Sequence, residues 1–327
     1  MKRMTDEKSL IQKIERFFET RQVKGVSAPP GDDASLWVPR SGYETILTCD
    51  WFLEGSHFLR EKHPADAVGW KCLARAVSDV AAMGGEPRCF LLSLALPVSL
   101  TGQWMSGFLK GLRRASWKLG CELAGGDTTN RDQVLISVTV IGEVRRGRAI
   151  LRSGARPGDF VYVSGTLGEA DLGLEQLRNK SNKRTSMNGA LRKHLYPEPR
   201  LELGQWLARN SLASAMMDVS DGVSTDLPRI CEASGVGAKI EIDALPLSRL
   251  TNRRKAQELA LHGGDEYELL FTVKKKDAER VPGKFRGLPL TRIGELTRGN
   301  KIVVVENGAS RTLAPGGWDP FREATKR

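Results

Sequence analysis

Seven acidic motifs punctuate this chain, and almost every one is fused to glycine or serine. They are Gly31-Asp32-Asp33, Thr48-Cys49-Asp50, Ser78-Asp79, Gly125-Gly126-Asp127, Asp218-Val219-Ser220-Asp221-Gly222, Asp226 and Gly263-Gly264-Asp265-Glu266. Carboxylates crowd together only where cations neutralise them. Oxygen donors on tight glycine turns suit hard divalent ions, Mg2+ first, and Mg2+ prefers a few carboxylates plus substrate phosphates to a full protein cage. A fold that brings such turns together points to a nucleotide-phosphate enzyme.

Around these acids the chain is basic, with 50 Lys+Arg against 39 Asp+Glu and a net charge of +11. Such an excess attracts nucleic acid or steers anionic small substrates. The basic clusters Arg113-Arg114, Arg145-Arg146-Gly147-Arg148, Arg253-Arg254-Lys255 and Lys274-Lys275-Lys276 are scattered, without aromatic interleaving or a zinc finger. That pattern favours ATP-like substrates over nucleic acid as partners. The five cysteines (Cys49, Cys72, Cys89, Cys121, Cys231) form no Cys-x-x-Cys pair, so neither a zinc ribbon nor a disulfide framework is expected. No apolar run approaches the roughly 18 residues of a spanning helix, and Met1-Lys2-Arg3 opens a charged stretch without an apolar signal region. These features predict a cytoplasmic protein without a membrane partner.

A chain of 327 residues is long for one core, and two domains are expected, 1–150 and 151–327. Thr5 is placed to cap a helix carrying Leu10, Ile11, Ile14, Phe17 and Phe18 on one face. The stiff Ala28-Pro29-Pro30-Gly31 loop leads to the first acidic pair. A strand over 45–49 ends on Asp50, and Pro64 opens a helix running to Val77. A strand over 89–96, a helix over 104–119 stopped by Gly120, and a strand over 134–142 follow. The turn-rich segment 152–159 marks the boundary, and 160–164 starts a new strand. Residues 179–189 are polar and read as a mobile loop, with helices at 199–209 and at 223–234, the latter closed by Gly235. The halves echo each other: Ser78-Asp79 precedes Gly125-Gly126-Asp127 by 48 residues, and Ser220-Asp221 precedes Gly263-Gly264-Asp265 by 44, counted between the aspartates. Two α/β halves of related build would explain this, with a site drawing ligands from both; chance matching of short glycine turns is the alternative.

Each motif has an ordinary structural explanation beside the chemical one. An Asp-Asp pair is often a cap or an Asx-turn, although in extended chain one carboxylate can face a metal while the other holds the loop. Asp50 at a strand end lies where α/β folds place ligands. Gly125-Gly126-Asp127, read as preceding a strand, offers backbone amides and a carboxylate. Asp218, Ser220, Asp221 and Asp226 set four oxygen side chains within nine residues. Capping alone explains seven such motifs poorly. His57, just after Asp50, is a candidate hydrogen-bond donor to substrate, whereas His63, His194 and His262 show no metal-ligand spacing. Arg152 can grip a phosphate bidentately or be a solvated linker residue. Lys71 either reaches phosphate or lies on a solvated helix face, and Trp318 either stacks on a flat ligand or pins the C-terminus. Walker A, protein-kinase and dinucleotide-binding fingerprints are absent from the sequence, so phosphate would be held by metals, glycine-turn amides and basic side chains.

Taken in order, residues 73–87 (Leu-Ala-Arg-Ala-Val-Ser-Asp-Val-Ala-Ala-Met-Gly-Gly-Glu-Pro), Gly125–Thr129, Arg152–Asp159, Met217–Asp226 and Gly263–Leu269 resemble the thiamine-monophosphate kinases. That family is related to aminoimidazole-ribonucleotide synthetase, selenophosphate synthetase and a hydrogenase-maturation dehydratase. The resemblance runs from about Gly31 to Phe321. It implies an α/β (α+β) two-domain, PurM-like fold whose N-terminal sheet contributes to a homodimer β-barrel, and ATP-dependent phosphorylation of thiamine monophosphate to thiamine diphosphate. It implies several Mg2+ ions on Asp32, Thr48, Cys49 (through its carbonyl), Asp50, Asp79, Asp127, Asp218 and Asp221. It implies ATP on Gly126, Asp127, Arg152 and Ser220, and thiamine monophosphate on His57, Asp265 and Trp318, with direct transfer and no covalent enzyme intermediate, Arg152 screening charge. The family usually reads Gly-Gly-Glu-Asp-Tyr-Glu-Leu where this chain has Gly-Gly-Asp-Glu-Tyr-Glu-Leu, so whether Asp265 or Glu266 faces the substrate is open. Cys49 and Trp51 replace commoner residues beside Asp50. A C-terminus of Ala-Thr-Lys-Arg and a first cysteine on a strand favour the thiamine-monophosphate kinases over the maturation protein and selenophosphate synthetase. The alternatives are a ligase like aminoimidazole-ribonucleotide synthetase and a non-catalytic, basic RNA-binding protein.

Overall fold

The computed structural model describes residues 6–18, 25–26, 33–179 and 189–321. Thr5, Asp32 and the polar segment 180–188 lie outside the described residues. Two compact units emerge: the described residues of Met1–Ala149 with Leu195–Leu201, and those of Ile150–His194 with Glu202–Arg327. Among the described residues, no helix is long and apolar enough to cross a membrane.

In the first unit, α1 (Glu7–Phe18) is capped by Asp6, whose carboxylate accepts the Ser9 amide at 2.7 Å. Leu10 and Ile14 are buried, while Ile11 of the expected apolar face is exposed. β1 (Tyr43–Leu53), α2 (Ala65–Ala82), β2 (Glu86–Leu96), α3 (Gln103–Leu119), β3 (Glu122–Asn130) and β4 (Leu135–Arg145) follow. The sheet order is β1-β4-β2-β3, antiparallel except for the parallel β2–β3 pair. α2 is buried on nearly every side, against the sheet and against α3. A helix that is apolar around its whole circumference belongs inside a core. Two expectations fail here. Lys71 does not lie on a solvated helix face; it is buried within α2. Asp50 does not end a strand, because β1 continues through buried Phe52 and pairs Asp50 with Val138 in mid-strand.

Gly125-Gly126-Asp127 lies inside β3 rather than ahead of a strand. The glycine is needed for pairing: a Cβ at Gly126 would sit 1.9 Å from the Leu92 carbonyl oxygen of β2. A register shift between Phe90 and Leu91 accompanies this close approach.

The second unit contains β5 (Phe160–Ser164), α4 (Glu169–Arg178), α5 (Gly189–Leu195), α6 (Leu201–Arg209), β6 (Ala213–Asp218), α7 (Val223–Ser234), β7 (Gly237–Glu241), α8 (Arg253–His262), β8 (Leu269–Val273), β9 (Lys284–Phe285), β10 (Leu288–Thr297), β11 (Ile302–Glu306) and β12 (Ala309–Thr312). α5 ends on Leu195 and α6 begins on Leu201, the bounds of the segment that belongs to the first unit. The sheet order is β12-β11-β7-β10-β5-β8-β6, with β9 on β10. Val161, Val163, Met217, Leu227, Ile230, Ile240, Leu270 and Ile293 build its core. β8 is buried at every position, as an internal strand covered on both faces requires. The two sheets differ in strand number and order, so the spacing echo does not make them copies of one sheet.

Candidate active site

In the second unit, backbone hydrogen bonds tie three loops together. β6 delivers Asp218 at its last residue, and Ser220-Asp221-Gly222 turn the chain into α7. The Ser220 carbonyl accepts the Asp265 amide at 2.8 Å, the Val219 carbonyl accepts the Tyr267 amide at 2.9 Å, and the Asp221 carbonyl accepts the Trp318 amide at 3.0 Å. Five residues singled out from the sequence (Asp218, Ser220, Asp221, Asp265, Trp318) are thus gathered by main-chain contacts spanning a hundred positions. Such anchoring fixes loops more firmly than side-chain contacts alone.

Asp226 organises this cluster from below. It is buried, and one of its oxygens accepts the amides of Ser220 (3.1 Å) and Asp221 (3.0 Å). Arg229 bridges Asp226 and Asp221, at 2.8 Å to each. Burial first, and the Asp221 charge second, push the Asp226 carboxyl up to about 7, against the pull of the amides and Arg229. Its oxygens serve the loop. Arg152 is exposed on the boundary turn, and its carbonyl accepts the Ser234 hydroxyl at 3.0 Å, which anchors its backbone.

The swapped pair Asp265-Glu266 divides cleanly. The Glu266 side chain is fully buried, 2.6 Å from Lys193, and accepts the Ala170 amide at 2.9 Å near the start of α4. Asp265 keeps about 30% of its side chain exposed, accepts the Tyr267 hydroxyl at 2.7 Å, and stands 4.0 Å from His194.

In the first unit, Thr48 donates to Asp79 at 2.5 Å, and Asp50, two residues along the same face of β1, lies 3.6 Å from Arg75. Arg75 and Asp79 are one helical turn apart on α2 and so present to the same sheet face. Cys49 points the other way: it is exposed, within 3.3 Å of Ser137 Oγ and 3.4 Å of Thr139 Oγ1. Strand alternation therefore denies its thiol to the Thr48–Asp50 side and leaves only its backbone there. His57 caps a turn, its Nδ1 accepting the Leu53 amide at 3.0 Å, which puts the proton of the neutral ring on Nε2 as a donor. Asp127 is exposed on β3, at the opposite edge of the sheet from β1. Three strand spacings, about 14 Å, separate the two edges, so the first unit does not bring Asp127 to the Thr48–Asp79 pair.

The donors are oxygens throughout, the chemistry that suits Mg2+. Among the described residues, no group of three or more His, Cys, Asp or Glu side chains forms a ready cage. That arrangement fits an ion that arrives with substrate phosphates and takes one or two carboxylates from the chain. Sequence reading missed Arg75, Arg229, Lys193 and Tyr267. The helical spacing from Arg75 to Asp79 and from Asp226 to Arg229 is a usable signal. Nothing local links Lys193 to Glu266.

Residues 31–144 match the AIR synthase related protein, N-terminal domain, and residues 156–307 its C-terminal domain, which sets the class of the molecule. Thiamine-monophosphate kinase of Bacillus subtilis (strain 168) is 35% identical over 305 residues, covering 89% of this chain and 93% of its own length. That of Salmonella typhimurium (strain LT2) is 37% identical over 300 residues, covering 89% and 91%. The chain belongs to the thiamine-monophosphate kinase family. Among solved structures, the thiamine-monophosphate kinase of Stenotrophomonas maltophilia K279a matches with a TM-score of 0.81 at 36% identity, covering 93% of this chain and 98% of that one. AaThiL complexed with AMPPCP and TMP matches at 0.77 and 34%, covering 96% and 97%. The hydrogenase maturation protein HypE in complex with ATP, at 0.78 but 20% identity, shares the fold.

Proposed function

We propose that this chain transfers the γ-phosphoryl group of ATP to thiamine monophosphate, giving thiamine diphosphate, in the cytoplasm. The observation that carries the reading is the family relationship over about nine-tenths of the chain, joined to a similar structure that holds an ATP analogue and TMP. The acid-bearing segments support it. Asp32, Thr48, the Cys49 carbonyl, Asp50, Asp79 and Asp127 in the N-terminal half, with Asp218 and Asp221 in the C-terminal half, would receive the metal–phosphate groups. Gly126, Asp127, Arg152 and Ser220 would meet ATP, and His57, Asp265 and Trp318 the thiamine moiety, with Glu266 left to the protein interior. Mg2+, when bound, neutralises charge on the phosphate oxygens. The chain's own work is to hold two phosphates in line, to orient Asp50 and Asp79 beside Arg75 and Thr48, and to exclude water. No side chain needs to form a covalent intermediate.

ADP release, measured with and without thiamine monophosphate and with excess chelator, tests this. We expect release that depends on thiamine monophosphate and on divalent metal. Release on formylglycinamidine ribonucleotide instead would assign the ligase alternative. Salt-steep nucleic-acid binding without ADP release would assign the RNA-binding one. We further expect Asp79→Asn to lower kcat at least about 100-fold with its Tm unchanged, because a carboxylate facing the phosphates acts on charge in the transition state. Normal turnover in the folded variant would remove Asp79 from the site.

A further inference from the structure

Asp265 and Tyr267 are non-glycine residues with left-handed backbone, at φ +61° and +52°, and they flank Glu266. Such conformations persist only where the surroundings over-determine them. Main-chain bonds to Ser220 and Val219 hold the loop from one side. From the other side it is held by a buried charge cluster. Lys193 Nζ lies 2.6 Å from Glu266 and 3.3 Å from Glu268, and it donates to the Thr166 carbonyl. Ser164 donates to Glu268 at 2.5 Å and accepts the Leu269 amide at 2.9 Å. Glu266 also accepts the Ala170 amide of α4. Both glutamates are almost wholly buried, and the Lys193 ammonium lies against both.

Without that ammonium, two carboxylates one residue apart on either side of Tyr267 would lose the cation they share in low dielectric. They would have to take up protons or move apart. Either change bears directly on the two strained residues. We infer that Lys193 is a positioning residue: by clamping Glu266 and Glu268 under the loop, it fixes the backbone that presents Asp265 to the thiamine end of the substrate. This rests on the thiamine-monophosphate kinase reading. Lys193 itself is mostly buried, with 14% of its side chain exposed, and acts through the two glutamates. Its charge is kept on by the glutamates, which outweigh the effect of burial.

The test compares wild type, Lys193→Met and Lys193→Arg. In Lys193→Met we expect KM for thiamine monophosphate to rise about tenfold or more while KM for ATP stays within about twofold, since misplacing a positioning group costs orientation at one substrate only. Adding Asp265→Asn to Lys193→Met should raise KM little further, although Asp265→Asn alone raises it, because the two act through one contact. Lys193→Arg, which keeps the charge, should recover most of the loss. A lowered Tm with KM for thiamine monophosphate unchanged, or strictly additive effects of the two substitutions, would overturn the assignment and leave Lys193 a stability residue. Should Lys193→Met fail to fold, Lys193→Met/Glu266→Gln, which removes one charge of each sign, is measured in its place against the same KM criterion. Amide hydrogen exchange over 264–268 adds a reading free of substrate: faster exchange at Asp265 and Tyr267 in the variant is expected, and unchanged exchange contradicts the proposal. A wild type that ignores thiamine monophosphate while the variant still loosens this loop would refute the substrate reading and keep the clamp.

Discussion

At the scale of single residues, what most needs explaining is how buried charges stay charged. Glu143 on β4 is 1% exposed, yet it accepts the Arg40 amide at 2.8 Å and lies 2.6 Å from the Arg40 guanidinium and 3.0 Å from that of Arg88. Burial works against its charge, but the bonds from Arg40 and Arg88 outweigh it and hold the carboxyl below the ordinary value of 4.5. A carboxylate with a depressed folded-state pKa contributes stability that is fully present above the ordinary value and is lost as pH falls through the folded one. Acidification from about pH 5 downward should therefore lower the Tm of wild type more steeply than that of Glu143→Gln. At pH 7 the variant should be less stable by about 1–3 kcal/mol, because two guanidinium groups lose an ionised partner. Parallel melting curves across that pH range would exclude the linkage. The same contrast explains what the residue types could and could not disclose. Asp218, Ser220 and Asp221 were legible because their oxygens are crowded into a few positions. Glu266 was not, since only the distant Lys193 decides that it faces inward while Asp265 faces out.

At the scale of elements, helix and strand positions followed from periodicity wherever one face meets water. The helix at 223–234 lies where the pattern put it, and the strand at 160–164, although buried, follows the turn-rich segment that marked its start. Periodicity failed where burial is complete or where the backbone, not the side chain, sets the fit. α2 carries Lys71 into the core because its whole circumference is enclosed, and β3 takes up Gly126 because β2 approaches too closely there for a side chain. The contact between α2 and α3 shows the same principle. A Cβ on Gly69 would stand 2.0 Å from the Phe108 carbonyl oxygen, and one on Gly111 would stand 1.8 Å from that of Asp66. Neither partner is a flexible side chain, so the helices themselves would have to separate. Gly111→Ala should then cost on the order of 3 kcal/mol or more despite alanine's better helix propensity, since overpacking against backbone is not relieved by a rotamer change. Urea unfolding decides it: a variant as stable as wild type would mean that the helices are not in close contact. The loss should appear without a change in KM for either substrate, because no proposed ligand lies on this contact.

At the scale of the whole molecule, the four-stranded sheet of the first unit is finished on one side only. α2 packs on the face that carries Ile46 and Phe52, while Leu47 and Trp51 on the alternate face are 70% and 58% exposed. Cys49 lies between them, and Leu36 and Val38 are exposed ahead of the strand. An amphipathic sheet with apolar residues on both faces is expected to bury the second face against another surface. The homodimer implied by the family resemblance would supply one: a two-fold axis would bring the same strip of each copy together, Leu47 and Trp51 against their own copies. Trp51→Glu combined with Leu47→Asp would place four carboxylates in such an interface, two from each copy. Like charges there cost several kcal/mol, enough to dissociate a dimer at micromolar protein. Light scattering behind gel filtration should give twice the 36.0 kDa chain mass for wild type and one chain mass for the double variant, with the variant's circular dichroism unchanged. A wild type that elutes at one chain mass, or a double variant that remains paired, would show that this face is covered by something other than a second copy of itself.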